Sequence, residues 1–457
     1  MKQIRLNAFA MNAPVHQSPG LWRHPRDRST EFNKIGLWLD LAKLWERGLF
    51  DGVFLADVLG PYDVYGGNAR AALAQAAQLP ANDPLLLIPA MAAVTQNLGF
   101  GVTVSLSYEN PYQLARRFST LDHLTGGRVG WNIVTSYLDS AARAMGADRQ
   151  RAHDDRYAVA EDFMTATYKL WEASWEEGAV LADKTRGIYA DPDRVHVVRH
   201  ESPYVQMEAL HLVSPSPQRT PVLYQAGSSP AGLAFAARHA ECVFVSGPSA
   251  AVIRPRVARL RQALVAAGRA PDSVKVFALA TAITAPTEAE AHDKLADYRS
   301  YVDPVGALVL MGGWLGVDFS VYELDQKIRY IDNDAGRAAM ENFTRADPNR
   351  DWTVREAAAH VAIGGAGPVF VGSAAQVAES MADWAAETDI DGFNLSYAVL
   401  PESFTDAVEL LVPEWQARGI YKTSYAEGTL RTKLFGEGPL LSAPHPAAGF
   451  RMSQSGR

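Results

Sequence analysis

The chain is expected to be an α/β protein, a (β/α)8 TIM-type barrel with insertions after strands 2, 4 and 7. Short apolar segments rich in β-branched and aromatic residues alternate with amphipathic stretches of helical length along most of the 457 residues. Eight such strands follow one another, and right-handed crossovers close eight parallel strands into a barrel. An open doubly wound sheet is the second choice. The helix starts add a third observation, since several carry capping chemistry at the right offset.

The expected strands are residues 4–10, 52–57, 100–106, 128–134, 221–227, 241–247, 274–284 and 391–396. Helices are expected at 31–46, 84–97, 112–124, 156–175 and 250–267. Asp83-Pro84 places a capping acid before a first-turn proline, and Ser229-Pro230 repeats the arrangement. Ser373-Ala-Ala-Gln376 and Thr287-Glu-Ala-Glu290 fit the reciprocal capping box. Gly126-Gly127 ends a helix and turns the chain into the fourth strand, whose last residues, Asn132 to Tyr137, are polar. That carboxyl end is where parallel α/β proteins build their sites.

Residues 1–435 are read as one domain and 436–457 as a Pro-, Ser- and Gly-rich tail, mobile or wrapped on a neighbour. Three stretches exceed a minimal barrel: 60–82, with Tyr62 and Tyr65; 177–220, long enough for extra strands; and 303–367 after the seventh strand. Loops of this length usually carry function or structure of their own.

Acids and bases are interspersed and the net charge is −8, without the basic stripe that nucleic acid requires. The single cysteine, Cys242, excludes an internal disulfide framework and reads as a buried core thiol. No apolar leader or run of membrane-spanning length is present, so a cytoplasmic protein is expected. No dinucleotide fingerprint, P-loop, metal-ligand spacing or nucleophile elbow is found.

Gln225-Ala-Gly-Ser-Ser-Pro230 is the best candidate for an anion site, because a helix N-terminus offers free N–H groups and a positive dipole end. The same residues serve equally as a plain helix cap. Asp57 at the end of the second strand could accept from a ring N–H or simply cap the next loop. Thr103 and Ser105 end the third strand and could reach the same cavity. His153 and Tyr157 lie four apart, on one helical face.

These segments together resemble the flavin-dependent monooxygenases of the bacterial luciferase-like superfamily, in the branch of nitrilotriacetate, dibenzothiophene-sulfone and dimethyl-sulfide monooxygenases. The resemblance is carried by Gly20-Leu-Trp-Arg-His24, Phe50-Asp-Gly-Val-Phe-Leu-Ala-Asp57, Leu121-Asp-His-Leu-Thr-Gly-Gly-Arg-Val-Gly-Trp-Asn-Ile-Val-Thr135, His153-Asp-Asp-Arg-Tyr157 and the run from Pro215 to Ser229. It implies a barrel that binds FMN as FMNH2, supplied by a separate NAD(P)H:flavin reductase through diffusion. Oxygen would add at the flavin C4a, and the hydroperoxide would pass one atom to a small organic substrate. Carried over by position, Gly227, Ser228 and Ser229 would hold the phosphate with Tyr157 and His153. Asp57, Thr103, Asn132 and Thr135 would frame the ring and ribityl chain, and Phe9 would pack on the ring. No side chain stands out as a catalytic acid or base; His153 is the one candidate. A homodimer or homotetramer is expected.

The 60–82 loop offers only Arg70 among Tyr, Gly, Ala and Leu, and Val309-Leu-Met-Gly-Gly-Trp-Leu-Gly316 is apolar. The expected substrate is therefore an organosulfur compound, a thioether or sulfone, with C–S cleavage. An aminopolycarboxylate would instead need converging arginines such as Arg23, Arg70 or Arg329. A deazaflavin-dependent hydride-transfer oxidoreductase and a non-enzymatic flavin-binding relative are the remaining alternatives.

Overall fold

Eight parallel strands close on themselves in the computed structural model, which describes residues 2–227, 229–331, 337–347 and 350–452. They are β1 (Arg5–Met11), β2 (Gly52–Ala56), β3 (Gly99–Ser105), β4 (Val129–Val134), β5 (Val222–Gln225), β6 (Cys242–Val245), β7 (Lys275–Ala285) and β8 (Gly392–Ser396). Each pairs with its neighbour in chain order, and β8 pairs with β1 to shut the ring. This is a TIM-type (β/α)8 barrel.

Strand alternation sorts the side chains into two cores. Val129, Trp131 and Ile133 of β4 face the helix layer, where Trp131 Nε1 donates to Val104 O at 2.9 Å. Phe9, Phe54, Tyr224, Phe277 and Leu279 fill the barrel interior, stacked at ring spacings of 5.1–5.7 Å where they meet Phe244 and one another. The short helix Leu430–Phe435 plugs the amino-terminal mouth with Leu430 and Leu434. Cys242 is fully buried, and burial pushes its thiol well up from the ordinary range, as an inert core position requires.

The expected caps are present. Asp83 accepts from Leu85 N at 2.9 Å, and both capping boxes close in both directions. Gly126 sits in the left-handed region at φ 62° and ends helix Pro111–Thr125; at Gly127, φ is 81° and a Cβ would stand 2.5 Å from Thr429 Cγ2. The expected helix at 84–97 is two pieces, a 3-10 turn Pro84–Leu87 and helix Ile88–Ala93, because Pro89 has no N–H to continue one ladder.

Beyond the eight, Val369–Ser373 pairs in parallel with the distal half of β7, a strand not anticipated from sequence. Residues 177–220 form two antiparallel hairpins, Val180–Asp183 with Ile188–Ala190 and Val198–Glu201 with Gln206–Ala209. Residues 303–367 contribute helices Pro304–Leu315, Arg337–Asn342 and Val354–Val361, which share an apolar cluster with Tyr62, Ala72 and Ala77 of the 60–82 stretch. The described part of the tail, 436–452, packs on its own barrel, where a mobile tail or one wrapped on a neighbour was expected. Leu441, His445 and Ala447 are buried, His445 Nε2 lies 2.9 Å from His239 O, and Arg451 Nε donates to Glu172 at 2.9 Å. Among the described residues no helix is long and apolar enough to cross a membrane, and no three His, Cys, Asp or Glu converge as metal ligands.

Candidate active site

A cavity of about 350 Å³ opens at the carboxyl ends of β2 to β6. Asp57, Thr103, Thr135, His153, Tyr157, Gly227 and Ser229 all line it, brought together from five loops and strands. Ser228 lies outside the described residues. Asn132 sits one layer below the lining, donating from Nδ2 to Thr103 Oγ1 at 2.9 Å. Phe9 is deeper still, behind Phe244, with its ring centroid 5.1 Å from that of Phe244.

The phosphate corner is built from backbone. Ser229 accepts from Gly232 N at 3.1 Å and caps helix Pro230–His239, so its first-turn N–H groups face outward at the positive end of the dipole. A Cβ on either Gly227 or Gly232 would stand 2.6 Å from the Tyr157 hydroxyl, so only glycine lets that phenol reach the turn. Tyr157 and His153 share a helical face, with ring centroids 5.3 Å apart, and His153 Nδ1 lies 2.8 Å from Asp154 Oδ1. Next to them, Ser136 adopts φ 54°, an uncommon angle for a residue with a side chain. Its Oγ meets Ser105 Oγ at 2.7 Å, and Arg156 donates to its carbonyl.

Among the described residues, the buried amide oxygens Asn132 Oδ1, Gln225 Oε1 and Asn342 Oδ1, at or beside the cavity, have no hydrogen-bond partner. Such atoms are rare in native interiors and point to a donor-bearing ligand. Reduced FMN has ring N–H and ribityl O–H donors for these amides and a phosphate for the capped helix. The residues fit the group.

The other side of the cavity is apolar, lined by Val58, Leu59, Leu138, Ala141 and the half-buried Trp314. Behind it is a polar network that sequence reading missed. Gln78 Nε2 donates to His16 O at 2.8 Å, which turns its Oε1 toward Tyr62 Oη at 2.9 Å. Tyr62 spends its proton there, so it accepts from Trp314 Nε1 at 3.0 Å and from the Tyr137 hydroxyl at 2.7 Å. Burial pushes Tyr137 up to about 12, so it is neutral in ordinary buffers. The arginines in the lining are not the rim candidates: Arg23, Arg70 and Arg329 are exposed, whereas helix residues Arg156 and Arg256 are buried in the wall.

Asp57 is half-buried, and desolvation raises its carboxyl from 3.8 to about 7, with nearby Asp83 adding to the rise and the Val58 N–H opposing it. Below about 3.8 folded and unfolded chains both hold the proton. As pH climbs through about 7 the folded chain must ionise a desolvated acid, so Asp57 costs stability increasingly over that window. Asp57→Asn is therefore expected to gain thermal stability relative to wild type between pH 5 and pH 8 (roughly the span of the shift). Melting curves at both pH values with the same offset would refute this account of Asp57.

A barrel with a cavity of mixed polar and apolar lining at its carboxyl face defines a class, and the comparisons agree. Residues 11–391 match the luciferase-like monooxygenase family, and the chain belongs to it, as a flavin-dependent monooxygenase. It is 46% identical over 457 residues to dimethyl-sulfide monooxygenase of Hyphomicrobium sulfonivorans, covering 100% of this chain and 95% of the relative. The crystal structure of that organism's DmoA superposes with a TM-score of 0.92 over 98% of this chain and 96% of its own. Long-chain alkane monooxygenase of Geobacillus thermodenitrificans (strain NG80-2) is 44% identical, with 98% of each chain covered. A crystal structure of riboflavin lyase (RcaE) with modified FMN and riboflavin gives a TM-score of 0.93 at 36% identity, covering 99% of this chain and 100% of that one. Dibenzothiophene-sulfone and nitrilotriacetate monooxygenases are relatives too, so the branch is the one expected from the sequence.

Proposed function

We propose that this chain is the oxygenase component of a two-component system that cleaves a C–S bond in a small, uncharged organosulfur compound, a thioether in the first instance. The observation that carries the substrate class is the apolar wall of Val58, Leu59, Leu138, Ala141 and Trp314 beside the polar flavin corner. Such a wall favours uncharged ligands, since a carboxylate there would lose hydration without gaining a partner. The names of the dimethyl-sulfide and long-chain alkane relatives point the same way.

Reduced FMN, when bound, supplies the oxygen activation. Gly227, Ser229 and Tyr157 hold its phosphate, with His153 beside them; Asn132, Gln225, Thr103, Thr135 and Asp57 orient the ring and ribityl chain. Tyr137, held by Tyr62, lines the cavity, where its oxygen would be free to accept a hydrogen bond from a bound group. The apolar wall and Trp314 exclude water from the reacting centre. Oxygen inserted at the carbon next to sulfur gives a hemithioacetal, which collapses to a thiol and an aldehyde. A separate NAD(P)H:flavin reductase provides the reduced flavin by diffusion; "component A" in the name of the nitrilotriacetate relative fits such a division.

The test is single-turnover mixing of the protein–FMNH2 complex with oxygenated dimethyl sulfide. One methanethiol and one formaldehyde are expected per FMNH2 and O2 consumed. Oxygen-dependent turnover of nitrilotriacetate with none of the sulfide would replace the substrate class with aminopolycarboxylates.

A further inference from the structure

One ring dominates the apolar side of the cavity. Among Val58, Leu59, Leu138, Ala141 and Ala339, the indole of Trp314 is by far the largest group. It comes from the last turn of helix Pro304–Leu315, in the 303–367 insertion, rather than from a barrel strand. The cavity of about 350 Å³ must take reduced FMN as well as a substrate. The room beside the flavin is therefore small, and a large group there decides what fits.

Trp314 is held in place. Gly316 adopts φ 66° and its N–H bonds Gly312 O at 2.9 Å, which ends the helix just after the tryptophan. Gly313 has no side chain where the Tyr62 ring lies; a Cβ there would stand 2.3 Å from Tyr62 Cδ1, so the phenol rests directly on the helix backbone. Trp314 Nε1 then donates to Tyr62 Oη at 3.0 Å. Tyr62 is buried and is itself fixed by Gln78 and Tyr137. The indole is thus tethered by its one polar atom, and the rest of its surface is carbon. It cannot swing aside for a longer ligand without giving up that hydrogen bond and leaving its N–H unpaired.

We infer that Trp314 sets how long an alkyl chain the site accepts, with Tyr62 as the positioning residue that holds it there. The inference rests on the thioether reading above and adds a size limit to it. Short dialkyl sulfides fit beside the indole, and longer ones are refused by its bulk rather than by charge. One methylene in a hydrophobic pocket is worth about 10- to 200-fold in discrimination, so a ring of this size is enough to separate dimethyl from dibutyl sulfide.

The experiment measures kcat/KM, and sulfide consumed per FMNH2 oxidised, for dimethyl, diethyl and dibutyl sulfide with wild type, Trp314→Ala, Trp314→Phe and Tyr62→Phe. Wild type is expected to prefer dimethyl sulfide. In Trp314→Ala the dibutyl-to-dimethyl ratio of kcat/KM is expected to rise by at least about tenfold, with coupling gained for the long sulfide and lost for the short one. Trp314→Phe, a smaller ring, falls between, and it carries the same comparison if the alanine variant does not fold. Tyr62→Phe keeps the indole but removes its acceptor, and is expected to shift the ratio the same way by less; an unchanged ratio there would refute the positioning role of Tyr62. Equal losses on all three sulfides in the Trp314 variants, or a wild type that already favours dibutyl sulfide, would overturn the size limit and leave the thioether reading intact. A wild type that turns over no sulfide would overturn both.

Discussion

Arg431→Met is expected to lower the unfolding free energy by about 3–5 kcal/mol, the usual consequence of removing one partner from a buried ion pair. Arg431 and Glu241 have side chains only 4% and 5% exposed, and they meet in a two-pronged contact at 2.7 and 2.9 Å. The guanidinium also donates to the carbonyls of Gln218, Thr220, Pro221 and Pro439. Those carbonyls belong to the chain entering β5 and to the tail, and Glu241 immediately precedes β6. Methionine fills much of the same volume but leaves the buried Glu241 carboxylate, to which Leu223 N still donates, without its bidentate cation, and takes the guanidinium donors from several carbonyls. Urea unfolding measures the loss; a change below about 1 kcal/mol would show that the pair is replaceable by packing alone. This cluster lies at the amino-terminal mouth, opposite the cavity, so flavin affinity of the folded variant should be unchanged.

The second large effect is expected at the opposite mouth. Ser229→Asp keeps the helix cap, since aspartate accepts from N2 and N3 amides as well as serine does. It also puts a carboxylate where the phosphate would rest. Like-charge repulsion at that range, partly screened, is expected to weaken FMN binding by roughly 2–3 kcal/mol, on the order of 30- to 150-fold in Kd. Ser229→Thr, which retains the hydroxyl cap, should bind nearly as wild type. Equilibrium titration of flavin fluorescence reads both. Equal affinities for wild type and Ser229→Asp, with the melting temperature of the variant preserved, would move the phosphate away from this helix.

The two substitutions test the division of labour in the barrel, with stability at one mouth and ligand binding at the other. Much of that division was legible beforehand. Strand ends ran true because each polar cluster follows directly on its own strand: Asp57 after β2, Asn132 to Tyr137 along and after β4, Gln225 to Ser229 after β5. The cap at Ser229 depends on residues within one helical turn, and such local chemistry does not wait for the fold.

Other features were out of reach. Phe9 was expected against the flavin ring and instead lies behind Phe244. Pleat alternation tells which residues point inward, but depth along the axis is set by the stagger between strands, which one segment does not encode. The arginines illustrate the same limit. Rim loops were searched for cations because substrate loops are read from composition, yet Arg156 and Arg256 enter the wall from helices.

Local sequence sufficed for the strands, the caps, the glycine turn at Gly126-Gly127 and the family to which the chain belongs, because each rests on residues adjacent in the chain. Only the closed barrel could bring Tyr62 to Tyr137 across 75 residues and to Trp314 across 252. Only it could place Asn342 beside Ser246, 96 residues away, in the lining of the cavity. Contacts of that separation follow from strand order, stagger and the packing of 303–367 over the mouth, which are properties of the whole fold.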